Sequence, residues 1–185
     1  MADNLDGFLS PFLRERRLAA AVPHIRGSIL DFGCGIGLLR GRFEGSEYVG
    51  VDVSPAALEE ARRRFPQSRF LAVAAMRELS GQRFDTVVAL AVIEHLPDPV
   101  GFLREMKGHL NPGGRIVLTT PNPVLDWAHG LGGRIGLFAR ESHDEHQSLM
   151  NRAGIVWAAE QVGLRLIAFR RFLFGANQLA VLAPE

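Results

Sequence analysis

Apolar and polar positions alternate between two periods along this chain. Phe12, Leu13, Leu18 and Val22 share one face of a helix over residues 12–22, with Pro11 in its first turn and Ser10 as its N-cap. Ser28, Ile29, Leu30, Asp31 and Phe32 then make a short, nearly apolar run that predicts a buried strand, which leads directly into Gly33, Gly35 and Gly37. A short helix over 38–43, a strand over 48–52 and a helix over 56–65 follow, the last with Ser54 as N-cap and Pro55 at the first position. Further strands are expected over 69–73 and 84–89, then a helix over 99–110, a turn at 111–114 and a fifth strand over 115–119. Repeated strand–helix units call for a parallel sheet with right-handed crossovers.

Residues 121–148 break this rhythm with Gly, Pro and His. A loop of that length in a compact domain is usually functional. A helix over 149–162 comes next. Two strands, over 164–172 and 178–182, are joined by Gly175, Ala176 and Asn177, too short a link for a parallel crossover, so they should pair as an antiparallel hairpin at one sheet edge. The expectation is one domain, 1–185, of α/β class. It is a doubly wound sheet, mostly parallel, with an antiparallel C-terminal edge hairpin, an N-terminal helix at about 11–23 and an inserted lid-like loop at about 121–148.

Composition narrows the function classes. At 185 residues, 47% hydrophobic and 22% charged, the chain can bury a core. A net charge of +1 argues against a nucleic-acid partner. Arg14, Arg16 and Arg17, and Arg62 to Arg64, read as solvated helix faces. No apolar run approaches the length of a membrane span, and the first ten residues lack the pattern of a secretory signal. The single cysteine, Cys34, excludes an internal disulfide and a cysteine-based zinc site. A cytoplasmic location is expected. His143 and His146, with Asp144 and Glu145 between them, read as polar loop residues, and no metal is expected.

The chemistry concentrates at Asp31, Gly33, Cys34, Gly35 and Gly37, where the first strand ends. Ligands of open α/β sheets bind at the carboxyl ends of the strands, near the point where strand order reverses. The second strand ends in Asp52, whose carboxylate can accept hydrogen bonds from two ribose hydroxyls. Together these features point to a nucleoside-containing ligand. The glycine spacing is G-x-G-x-G, not the G-x-G-x-x-G of a dinucleotide site. Asp31 would repel a pyrophosphate and attract an ammonium group, which favours S-adenosylmethionine over a nicotinamide cofactor.

Residues 29–37, 49–54, 84–98 and 110–114 resemble, in order, four motifs of class I S-adenosylmethionine-dependent methyltransferases. The chain is most similar to the small-molecule group that includes ubiquinone-biosynthesis O-methyltransferases. The resemblance implies a Rossmann-like fold and methyl transfer from S-adenosyl-L-methionine, giving S-adenosyl-L-homocysteine, to a small-molecule, lipid-linked or sugar-linked acceptor. O-methylation is favoured. It implies that Asp31 and the loop of Gly33, Cys34, Gly35 and Gly37 hold the methionine portion, that Asp52 holds the ribose and that Val53 packs on the adenine. Leu90 and Ala91 would line the reacting methyl. The family often has an acid where Ala75 stands to receive the adenine amino group; Ala75 removes that side-chain hydrogen bond, and Met76 would offer its backbone N–H to the ring and its side chain to the ring face. His95, His143 and His146 are the candidate bases. Two other readings stay open: a nicotinamide-dependent oxidoreductase, and a non-catalytic nucleoside-binding module. The apolar residues of the long loop, Trp127, Leu131, Ile135, Leu137 and Phe138, fit either an acceptor lid or a pin to the core.

Overall fold

The computed structural model describes residues 10–43, 47–122 and 150–185. The expected lid-like loop, with His143 and His146, lies outside the described residues. Seven strands form one sheet: β1 (Ile29–Phe32), β2 (Tyr48–Asp52), β3 (Arg69–Ala72), β4 (Phe84–Leu90), β5 (Leu110–Pro121), β6 (Leu164–Phe172) and β7 (Asn177–Pro184). Their order is β3-β2-β1-β4-β5-β7-β6. The first five strands are parallel. β7 runs antiparallel between β5 and β6, so the expected hairpin forms and sits at the sheet edge. Chain order reverses between β1 and β4, which puts the switch point beside the glycine loop.

Helices cover both faces. Helix α1 (Ser10–Ala21) and α2 (Pro55–Arg64) pack Leu18, Ala21, Leu58 and Ala61 against Ile29, Val88 and Val117. Helix α3 (Pro99–Gly108) and α4 (Arg152–Glu160) pack Leu103, Met106, Ile155 and Ala159 against Leu30, Val87 and Leu118. Strands buried on both faces explain their nearly unbroken apolar sequences. The predicted cap of α2 is present: Ser54 Oγ accepts from Ala57 N at 3.2 Å, with Pro55 at the first position. Asn151 and Asp98 cap α4 and α3 in the same way. Helix α1 stops at Ala21 because Pro23 follows, and a 3-10 turn at Val22–His24 replaces its last turn.

Three expectations need correction. The helix predicted over 38–43 is only a 3-10 turn at Arg40–Arg42. Six residues that include Gly41 are too few to repay helix nucleation. The turn at 111–114 lies within β5. It is an irregularity in which the pairing with β4 jumps from Phe84–Leu110 to Thr86–Arg115, with Gly113 at φ 76°. The arginines on α1 and α2 are not all solvated. Arg17 Nε donates to Asn177 Oδ1 at 2.9 Å, and Arg62 Nη2 donates to the Phe70 carbonyl at 2.7 Å.

Candidate active site

The glycine loop is tied down by its own amide groups. Gly33 N and Cys34 N both donate to the Val51 carbonyl, at 2.8 and 3.1 Å. Gly35 N donates to Asp52 Oδ2 at 2.8 Å. Asp52 Oδ1 accepts from Ser54 N at 2.9 Å. Both oxygens of Asp52 are thus fixed by backbone donors, and each keeps a further lone pair for a ligand hydroxyl. The three glycines have different surroundings. A Cβ at Gly33 would lie 2.4 Å from Val92 Cγ2, and one at Gly37 would press on Phe65 at 3.1 Å. At Gly35, φ is 52° and nothing lies within 4 Å of the Cβ position. Gly35 alone of the three opens onto empty space, directly beside the Asp52 carboxylate.

Asp31 is 3% exposed, with Oδ2 accepting from the Tyr48 hydroxyl at 2.6 Å. Burial pushes its carboxyl up to about 7; the Tyr48 hydrogen bond opposes that shift, and the nearby Asp52 charge adds to it. The fold therefore disfavours the ionised form that a ligand ammonium requires. The ordinary value is 3.8, so between about pH 4 and 7 the unfolded chain gives up its proton first, and the stability contribution of Asp31 falls as pH rises through that window. Asp31→Asn should raise the unfolding midpoint of the ligand-free protein at pH 8, and the gain should shrink towards pH 5. The same change should weaken binding of S-adenosylhomocysteine. Thermal scans and calorimetry at the two pH values check both outcomes.

Cys34 is buried against Gly50, where a Cβ would meet its Sγ at 2.8 Å. Burial and the charges of Asp31 and Asp52 hold its thiol in the protonated form, so its part in the loop is packing and backbone geometry. Val53 follows Asp52 and is 79% exposed, an apolar side chain on the rim with space over it. Ala75 and Met76 lie on a 3-10 stretch, Val73–Leu79, that the sequence reading did not anticipate. Ala75 is half-buried, whereas the Met76 side chain belongs to the core beneath α3.

Leu90 and Ala91 stand at the tip of β4, next to the loop. Ala91 has φ 57°, a conformation that a non-glycine residue rarely adopts, and its N–H donates to the Thr119 carbonyl at 2.9 Å. That fixes the tip of β4 to the tip of β5. His95 is exposed on a 3-10 turn, Ile93–His95, at the same edge. The neighbouring Glu94 is 1% exposed. The contact of Tyr48 with Asp31 and the burial of Glu94 were not anticipated from sequence.

These features discriminate between ligand chemistries. A pyrophosphate needs unengaged amides at a helix N-terminus. Here the amides of residues 33, 34 and 35 are already bonded, and no α-helix opens after the loop. The Asp52 carboxylate stands beside open space, and the buried Asp31 carboxylate lies near enough for the two charges to act on each other. The site suits a cation together with a diol, and it opposes the nicotinamide reading.

The methyltransferase domain family matches residues 3–168, and the chain belongs to it. Trans-aconitate 2-methyltransferase of Methylobacterium radiotolerans is 36% identical over 106 residues, 55% of this chain and 41% of that protein. Ubiquinone biosynthesis O-methyltransferase of Idiomarina loihiensis is 28% identical over 169 residues, 85% of this chain and 69% of that protein. The chain thus spans between about two fifths and two thirds of these relatives. The crystal structure of magnesium protoporphyrin IX methyltransferase from Synechocystis PCC 6803, with bound S-adenosylhomocysteine, superimposes with a TM-score of 0.69 at 18% identity, covering 100% of this chain and 90% of that one. The fold is Rossmann-like.

Proposed function

We propose that this chain is an S-adenosylmethionine-dependent methyltransferase acting on a small-molecule acceptor, free or linked to a lipid or sugar, with oxygen the favoured atom. The observation that carries this reading is the Asp52 carboxylate, clamped by Gly35 N and Ser54 N beside open space. Family membership and the names of the relatives support it. When bound, the cofactor supplies a methyl group on a positively charged sulfur that is already an activated leaving group. The residues of the chain then have three tasks. Asp52 orients the ribose by accepting from its hydroxyls, with Val53 against the adenine. Asp31, steadied by Tyr48, attracts the α-ammonium and sets the depth of the methionine. Leu90 and Ala91 present an apolar wall at the β4 tip, which keeps water from the reacting carbon and aligns the acceptor.

Among the described residues no helix is long and apolar enough to cross a membrane. A cytoplasmic setting, with acceptors from the same compartment, goes with this reading. Incubating the full chain with methyl-labelled cofactor and the small-molecule fraction of a cell extract tests it. A labelled product that accumulates only when the chain is present is the expected result. Stable cofactor binding without labelled product would instead favour a non-catalytic nucleoside-binding module.

A further inference from the structure

The amino edge of the sheet, at the far end of β4 and β5 from Ala91 and Thr119, carries a cavity of about 490 Å3. Small-molecule sites span roughly 300–1,000 Å3, so the size suits a ligand and not only water. The cavity is lined by the polar side chains of Arg83, Lys107 and Asn111 and by the apolar Leu110, Pro112 and Pro184. Among the described residues its lining thus holds two cations and no carboxylate.

Main-chain carbonyls hold both cations in place. Arg83 Nη1 donates to the Gly108 and Leu110 carbonyls at 3.2 and 3.0 Å. Lys107 Nζ donates to the Val162 and Gly163 carbonyls at 2.7 and 2.9 Å, and a Cβ at Gly163 would lie 2.9 Å from it. These bonds cap the chain just past α3 and α4, a structural role that engages one guanidinium nitrogen and two ammonium hydrogens. They leave the Nε–Nη2 edge of Arg83, which presents two parallel N–H groups, and the third N–H of Lys107. Asn111 Nδ2 gives one hydrogen to Asp85 Oδ1 at 3.0 Å and keeps the other. Asp85 Oδ2 is taken by the backbone N–H and hydroxyl of Ser28. Among the described residues neither cation closes an ion pair, although Glu185 directly follows Pro184.

We propose that this cavity is an anion site, separate from the methyl-transfer site. It takes a small molecule whose carboxylate or phosphate group pairs with the Nε–Nη2 edge of Arg83 and the ammonium of Lys107. The apolar body of that molecule rests on Leu110, Pro112 and Pro184. An anion arriving there meets donors that are already in position, so little side-chain freedom is lost on binding. The planar edge of Arg83 matches two oxygens of either headgroup, and Lys107 adds a point charge. An ammonium group would be repelled by both. The site does not depend on the methyltransferase reading.

Titrations of the 15N-labelled full chain with phenyl phosphate and with benzoate test the site and separate the two headgroups. Magnetic resonance follows them, with sodium chloride at equal ionic strength as the control. The expected result is saturable shifts of the Arg83 Nε–H and Asn111 side-chain amide signals with at least one probe and not with chloride. The probe that binds more tightly identifies the headgroup. Arg83→Gln and Lys107→Gln should each weaken that probe by at least about tenfold, the scale of losing a charge-assisted hydrogen bond. Thermal scans establish that each variant folds. Saturable shifts with neither probe, shifts centred away from this edge, or undiminished binding by either folded variant overturn the proposal. If a variant does not fold, the wild-type shifts decide the question by themselves.

Discussion

Gly35→Val should lose S-adenosylhomocysteine affinity by at least about a hundredfold, or ~2.7 kcal/mol, in a protein that still folds. Two effects combine in this loss. The φ of 52° is one a β-branched side chain rarely adopts, so the loop is pushed away from its present course. The new side chain also enters the open space beside Asp52, where the nucleoside belongs. Strain alone would lower stability, so the comparison needs a matched control. Gly81 provides one: its φ is 78°, nothing lies within 4 Å of its Cβ position, and it precedes β4 at the opposite edge of the sheet. Gly81→Val should show a similar loss of thermal stability with cofactor affinity unchanged. Equal affinity losses in both variants, measured by calorimetry, would mean that general destabilisation and not the cradle explains the result.

Asp52→Ala should weaken the same ligand by about 1.5–3 kcal/mol, the scale of charge-assisted hydrogen bonds. Removing the carboxylate deletes the acceptor for the ribose hydroxyls. It also frees Gly35 N and Ser54 N, which now fix the approach of the loop to the end of β2. Asp52→Asn separates these roles. An amide can still accept from one backbone N–H, so the loop should hold its course, and the remaining loss reports the missing charge. If the alanine variant binds as tightly as wild type, Asp52 is not in the ligand site.

Most of the architecture was legible because the strands are buried on both faces and the turns between them carry strong local signals. Ser54–Pro55 marked the start of α2, and the short link at 175–177 enforced an antiparallel hairpin. The missing crossover helix after Gly37 was not legible, since the apolar spacing of Leu38, Leu39 and Phe43 suits a helix as well as the turns observed. The β5 irregularity was hidden for another reason: Gly113 and Gly114 look the same in a turn between elements and in a bulge within one.

At the site, the motif glycines, Asp31 and Asp52 were legible because their chemistry is local to strand tips. Tyr48 was not, because its hydroxyl meets Asp31 only through the β1–β2 register, in which Ile29 faces Tyr48 and Asp31 faces Gly50. Arg17 and Asn177 are 160 positions apart and meet only after the sheet closes. Nothing in the spacing of Gln178 and Met150 announces that the Gln178 amide donates to the Met150 carbonyl.

The proposed function requires the crevice at the β1–β4 switch point to hold an adenosyl group with a cationic amino acid tail and to exclude a dinucleotide. Parallel calorimetric titrations of the full chain at pH 8 with S-adenosylhomocysteine and with NADH test it most directly. One-to-one binding of S-adenosylhomocysteine, lost in Gly35→Val, and no measurable heat with NADH are the expected results. Saturable binding of NADH at the same site, or none of S-adenosylhomocysteine, would contradict it.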